Sequence, residues 1–192
     1  MNYFEWIPIL KKEVEVEYSK APEELHSSVH QMDHLDRVWT RCEKIGMRVG
    51  ADLEILVAAA YLHDIGRQYG LELHGEKSAE HAADVLERIG FPKEKRETVL
   101  DAITKHDYQT DPTERKSIES KVLYDADKLD ALGDTGIMRF TQKYFVEKKV
   151  EMTIPEMLKS INRRWDTLML PETKELGEGD YEKIKQHFET ML

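Results

Sequence analysis

Residues 53–63, LEILVAAAYLH, are apolar almost all the way round. A helix without a polar face has no side to give to water, so other helices have to enclose it. The stretch runs straight into His63-Asp64 and stops at Gly66. A buried helix that ends on an imidazole and a carboxylate brings polar groups into the core, where each of them needs a partner.

The flanking segments carry the helical period. Trp6, Ile9, Leu10 and Val14 mark an amphipathic stretch over about 4–18, which Ala21-Pro22 breaks. Leu35, Val38, Trp39, Cys42, Ile45 and Val49 recur at three- and four-residue spacing and predict a helix over about 32–49. Gly50 ends that helix and Asp52 caps the next. A glycine-bearing loop is expected over about 65–75, and helices over 76–89, 93–107 and 117–132, with a polar loop at 108–116. Residues 136–148 read as helical, Thr153-Ile154-Pro155 opens another helix, and 179–191 is the last. Trp6, Trp39 and Trp165 read as core packing. No segment alternates as a strand would and none repeats, so the expected fold is all-α. It is a single domain over 1–192, with a core of about 25–140 and a helical C-terminal portion of about 145–192.

A chain of 192 residues suits one domain with a real core. The net charge of −10, without a basic stripe, argues against a nucleic-acid polymer as partner. A small anionic substrate is still compatible, because a metal and a few Lys or Arg residues dominate a local pocket. No apolar run approaches the roughly 20 residues a spanning helix needs, so no membrane is expected. The opening residues lack a basic stretch followed by a long apolar one, so no secretory signal is expected either. A single cysteine, Cys42, leaves no internal disulfide, and a cytoplasmic protein is the expectation.

His34, His63, Asp64, His74, His106 and Asp127 are of the types that borderline and hard divalent metals prefer. Adjacent side chains on a helix diverge by about 100°, so His63 and Asp64 converge on one ion most easily where the helix ends, and Gly66 fits that need. His34 lies early on the preceding helix, which brings it beside the end of the 53–63 helix if the two run antiparallel. Asp127 shares a helix face with Leu123 and Ala131 and is expected to point inward. Singly, each of these is more often a hydrogen-bonded core group; the joint order carries the signal.

Five strings stand in sequence: HQMDHLDRV (30–38), LHDIG (62–66), HGEKSAEHA (74–82), ITKH (103–106) and DADKLDALGDTGIMR (125–139). This ordered set resembles the HD-domain superfamily of metal-dependent phosphohydrolases, whose signature is H…HD…D, and in particular its stand-alone bacterial and archaeal members. The resemblance covers roughly 25–140. Gln31 departs from the usual Asp of the first string, Lys128 stands where many relatives have Arg, and Asp134 replaces a residue that is often alanine.

The resemblance implies a helical HD-domain bundle with a helical C-terminal extension. It implies His34, His63, Asp64 and Asp127 as ligands of a divalent ion (Mn, Mg, Fe, Ni, Co or Zn), with one ion favoured over two. Asp64, His74 and His106 take catalytic roles, Arg37, Lys77, Lys128 and Asp130 contact the substrate, and His30 orients a ligand from outside. The expected activity is hydrolysis of a small phosphate ester, a nucleotide or a related compound, with a homodimer as a possible assembly. Two alternatives stand beside it: a cyclic- or dinucleotide phosphodiesterase in which His74 and His106 hold a second ion, and a non-catalytic nucleotide-binding module.

Overall fold

The computed structural model describes residues 2–20, 30–69, 74–107, 110–147 and 151–192. Among these every regular element is helical, and no helix is long and apolar enough to cross a membrane. The chain groups into two compact units, Met1–Tyr124 and Asp125–Leu192.

In the first unit, α1 (Tyr3–Ser19), α2 (His30–Val49), α3 (Leu53–Leu62), α4 (His74–Arg88) and α5 (Lys93–Thr104) precede the start of α6 (Ile118–Leu129). α3 is the central helix that its composition demands: every residue from Ile55 to Leu62 is buried, and α1, α2 and α5 pack against it. Asp52 caps it, its Oδ1 accepting from the backbone N–H of Glu54 at 2.9 Å and of Ile55 at 3.3 Å. Polar ties fix the register of its neighbours. Trp6 Nε1 on α1 donates to Glu54 at 2.7 Å, and the Tyr61 hydroxyl donates to Asp36 on α2 at 2.6 Å. Trp6 and Trp39 are core residues.

Several boundaries differ from expectation. The break at Ala21-Pro22 lies outside the described residues; α1 itself ends at Ser19. α4 begins at His74, so this histidine opens the helix instead of sitting in the loop before it. α5 ends at Thr104, which leaves His106 in the turn beyond it.

The second unit contains the end of α6, α7 (Gly133–Phe140), which continues as a π-turn over Thr141–Val146, α8 (Ile154–Asp166) and α9 (Pro171–Glu189). α9 packs on α7 and α8 through Phe188 and Ile184, with Phe140, Met157 and Ile161 among the buried residues. It starts well before 179, with Pro171 in its first turn, where the missing N–H costs nothing. Trp165 is half-buried, not enclosed, and stacks on Tyr181 with ring centroids 4.4 Å apart.

The start of α9 is held by a buried acid. Asp125 on α6 is fully enclosed and accepts from the backbone N–H of Met169 and of Leu170, both at 2.9 Å. Leu170 is the N-cap of α9, so its N–H has no partner inside the helix. Burial pushes the Asp125 carboxyl up to about 6, against the pull of those two donors. Asp125→Ala leaves both N–H groups without an acceptor and is expected to lower the free energy of unfolding by about 1–3 kcal/mol in urea denaturation.

Candidate metal centre

Four imidazoles and one carboxylate converge in the first unit, and each ring comes from a different stretch of chain. His34 is on α2, His63 caps the C-terminus of α3, His74 opens α4 and His106 lies in the turn after α5. Asp64 is the hub and is 4% exposed. Its Oδ2 is 3.7 Å from His34 Nε2 and 3.6 Å from His63 Nε2, and its Oδ1 is 3.5 Å from His106 Nε2 and 3.8 Å from His74 Nε2.

Two of the rings are aimed by the backbone. His63 Nδ1 lies 2.9 Å from the carbonyl of Ala60, and His106 Nδ1 lies 2.6 Å from that of Ile103. A carbonyl only accepts, so Nδ1 carries a proton in both rings, and Nε2 is the ring atom left facing Asp64 as a ligand once it has no proton of its own. Outer hydrogen bonds of this kind orient metal-binding histidines.

His74 is aimed by a side chain. Its Nδ1–H donates to Asp107 Oδ2 at 2.9 Å, while its Nε2 lies 3.2 Å from His106 Nε2. Burial alone would lower the His74 pKa, but the hydrogen bond to Asp107 and the charges of Asp64 and Asp107 raise it above the usual imidazole value. The turn that carries His106 and Asp107 is pinned from behind by the buried Arg115, whose Nε donates to the Lys105 carbonyl at 2.7 Å.

The carboxylate is an anion. Burial pushes the Asp64 carboxyl up, yet His63, Arg67 and His106 together outweigh burial and hold it well below the usual carboxylate range. Arg67 Nη1 lies 3.3 Å from Asp64 Oδ2, and the Arg67 side chain reaches solvent.

This donor set fits a divalent cation. The separations of 3.5–3.8 Å between Asp64 and the four nitrogens exceed hydrogen-bond length. They match two ligands that share one ion at about 2.0–2.2 Å from each. His63, Asp64 and His106 present ligand atoms all within 4.8 Å of one another. His74 Nε2, His106 Nε2 and Asp64 Oδ1 form a second triangle of the same scale.

The loop after the His-Asp pair is held by close backbone contact. Gly66 N–H donates to Ser78 Oγ at 2.9 Å, and a Cβ at position 66 would collide with the backbone of Lys77 and Ser78 in the first turns of α4. The glycine thus brings the end of α3 against the helix that carries His74.

The remaining expected residues are placed as follows. Arg37 is half-buried on α2. Lys77 Nζ donates to the Tyr69 carbonyl at 3.1 Å, and Lys105 is paired with Asp101. The side chain of His30 lies outside the described residues. Asp127, Lys128 and Asp130 belong to the second unit. There Lys128 is buried with Nζ 2.6 Å from Asp127 Oδ2, and Asp130 is buried with Arg139 Nη1 at 3.3 Å. Asp127 is only half-buried, and the enclosed acids of the DADKLD run are Asp125 and Asp130. Asp107, Arg67 and Arg115 are not among the residues that the sequence pattern singles out. Asp107 had a visible signal, a second His-Asp dipeptide at 106–107.

The family model described as HD domain matches residues 32–132, more than half of the chain. The chain belongs to the HD domain family. The chain is 35% identical over 116 residues to Bacillus subtilis YpgQ, an uncharacterized protein, an alignment that covers 59% of this chain and 56% of YpgQ. It is 29% identical over 100 residues to Ribonuclease Y of Cutibacterium acnes, covering 52% of this chain and 17% of that enzyme. The matches thus span about half of one curated relative and a small part of the other. Among solved structures, Bacillus subtilis YpgQ matches with a TM-score of 0.72 at 23% identity, over 100% of this chain and 96% of that one. YpgQ has also been crystallised in complex with ADP, with a TM-score of 0.71 at 23% identity over 100% and 95% of the two chains. A predicted HD superfamily hydrolase from an uncultured Thermotogales bacterium matches with a TM-score of 0.67 at 24% identity, over 100% and 97% of the chains. The fold is that of the HD-superfamily hydrolases.

Two measurements test this geometry. Gly66→Ala forces the end of α3 away from α4 and is expected to cost about 1–3 kcal/mol of stability together with metal affinity, read by thermal denaturation with and without a divalent ion. Asp107→Asn removes the group that most raises the His74 pKa. The raised value means that the His74–Asp107 pair contributes stability below the ordinary imidazole pKa of about 6.5 and loses it as pH rises through the higher folded value. In metal-free Asp107→Asn the His74 titration, followed by NMR of the ring, is expected to move to lower pH.

Proposed function

We propose that this HD domain is a metal-dependent phosphohydrolase that acts on nucleotides or related small phosphate esters. The observation that carries the reading is Asp64, a buried anion ringed by imidazole nitrogens at ligand spacing. In this reading His34, His63 and Asp64 hold the ion, and Asp127 joins them through its place in the DADKLDALG string. The ADP complex of YpgQ, a relative at 35% identity over the aligned part, supports a nucleotide as the ligand class.

A divalent ion in this set supplies Lewis acidity, polarising a phosphoryl oxygen and making water a nucleophile near neutral pH. The chain's own residues do the rest. Asp64 takes the charge of the ion with one oxygen toward His34 and His63 and the other toward His106 and His74. His74, held protonated more readily than an ordinary imidazole by Asp107, offers a proton at Nε2 to a phosphate or leaving-group oxygen. His106 Nε2 accepts beside it. Arg67 sits at the rim beside Asp64, and Arg37, Lys77, Lys128 and Asp130 are further candidates for contact with the substrate.

A second reading is favoured by the triangle of His74, His106 and Asp64 Oδ1. Its sides of 3.2, 3.5 and 3.8 Å are those of three ligands on one cation. His74, His106 and Asp64 would hold a second ion there, which would supply a second Lewis acid for an in-line displacement, and this favours a phosphodiesterase acting on a cyclic or dinucleotide substrate. Anomalous scattering from crystals of the loaded protein counts the ions; a single ion distant from His106 rejects this reading.

The test of the first reading is a panel of nucleotides with Mn, Mg, Ni and Co, scored for released phosphate and pyrophosphate. Metal-stripped protein is expected to be inactive and to recover on adding an ion. Asp64→Ala is expected to lose metal binding and at least about 10³-fold in turnover; undiminished activity in that variant rejects the assignment. Because binding releases protons from the imidazoles, metal affinity is expected to fall as the pH is lowered.

A further inference from the structure

α1 lies outside the stretch 32–132 that the HD family model matches, yet it brings a polar atom into the neighbourhood of Asp64. Tyr18 is on its last turn. The residue is half-buried, but its hydroxyl oxygen is fully enclosed and has no hydrogen-bond partner among the described residues. Beside it, Gln68 follows Arg67 in the short turn after the His-Asp loop. Gln68 Nε2 donates to the backbone carbonyl of Glu17 at 3.0 Å, which ties the end of α1 to the loop that carries Asp64 and Arg67. The other atom of that amide, Oε1, is also buried without a partner among the described residues.

Two enclosed, unsatisfied polar atoms, one on the residue after Glu17 and one on the side chain that bonds the Glu17 carbonyl, are unusual, because native proteins satisfy nearly all such groups. Core packing alone does not account for a tyrosine here, since phenylalanine fills the same volume without an orphaned oxygen. The charges that act on the hydroxyl come from the metal centre. After burial, which pushes the phenol up, the group that acts on it most is Asp64, which raises it further, and Arg67 opposes both. The hydroxyl therefore remains a neutral donor, and the charges that act on it are those of the hub of the metal centre and of the guanidinium at its rim.

We propose that Tyr18 is a substrate-binding residue whose hydroxyl donates a hydrogen bond to an anionic oxygen of the phosphate group bound at Asp64, with Arg67 neutralising the same group. This rests on reading the centre as a metal-assisted phosphate site. Gln68 is a positioning residue, holding the end of α1 beside the turn after the His-Asp pair. The chemistry shared by the ligands is a phosphate oxygen, whether free or esterified.

The experiment is isothermal titration of inorganic phosphate, and separately of ADP, into the Mn²⁺-loaded full chain and its Tyr18→Phe variant. A hydrogen bond to a charged oxygen corresponds to a loss of about tenfold or more in affinity. Both probes are expected to weaken by that factor, with Mn²⁺ affinity unchanged and a melting temperature equal to or above that of the parent. Equal affinities for both probes in the variant overturn the proposal, the hydroxyl then being held by a structural water. So does weakening toward ADP with none toward phosphate, or a joint loss of phosphate and Mn²⁺ binding. A parent that binds Mn²⁺ but neither probe overturns it as well. Turnover is not the readout, so the two readings fail separately. Phosphate binding that drops in Tyr18→Phe, in a protein that hydrolyses no nucleotide, supports Tyr18 and removes the hydrolase assignment.

Discussion

One buried negative charge organises the first unit. A carboxylate taken out of water carries a penalty of several kcal/mol unless positive charge stands beside it, and Asp64 is enclosed almost completely. Positive charge can come from Arg67, from protons on the four rings, or from a cation that displaces those protons. The elements around it are arranged to keep the four nitrogens at ligand distance. Backbone carbonyls fix the His63 and His106 rings, Asp107 fixes His74, Ser78 holds the Gly66 loop, and Arg115 holds the turn behind His106. None of these supports touches the centre with its own charge except Asp107, whose effect reaches it through the His74 ring.

What could be read from the sequence is what is encoded locally. α3 declares itself because burial on all sides leaves a run with no polar face, and Asp52 declares its start because a cap needs only neighbours two and three residues on. His34, His63 and Asp64 were legible as an ordered set, and the structure brings them together with His74 and His106. The start of α9 was not legible. Gly177 and Gly179 speak against a helix by propensity, but a Cβ at Gly177 would run into the Leu129 side chain, so the glycine answers a contact far away in sequence. Asp125 is a similar case. In the run DADKLD three acids compete, and what singles out Asp125 is a pair of N–H groups at 169 and 170 that no local pattern announces. Tyr18 carries even less signal, since on an amphipathic helix a tyrosine is unremarkable until its hydroxyl is seen to be enclosed and unsatisfied.

The tie between Asp125 and the residues ahead of α9 bears on where the protein can be cut. The match to the family model stops at residue 132, but the hydrogen bonds that satisfy a carboxylate inside that stretch come from residues 169 and 170. At the other end, α1 covers a flank of α3 and buries Trp6, Leu10 and Val14, all before the matched stretch begins. A boundary drawn by kinship is therefore not a boundary of folding. An excised 32–132 fragment would expose one side of its most apolar helix and strand a buried acid.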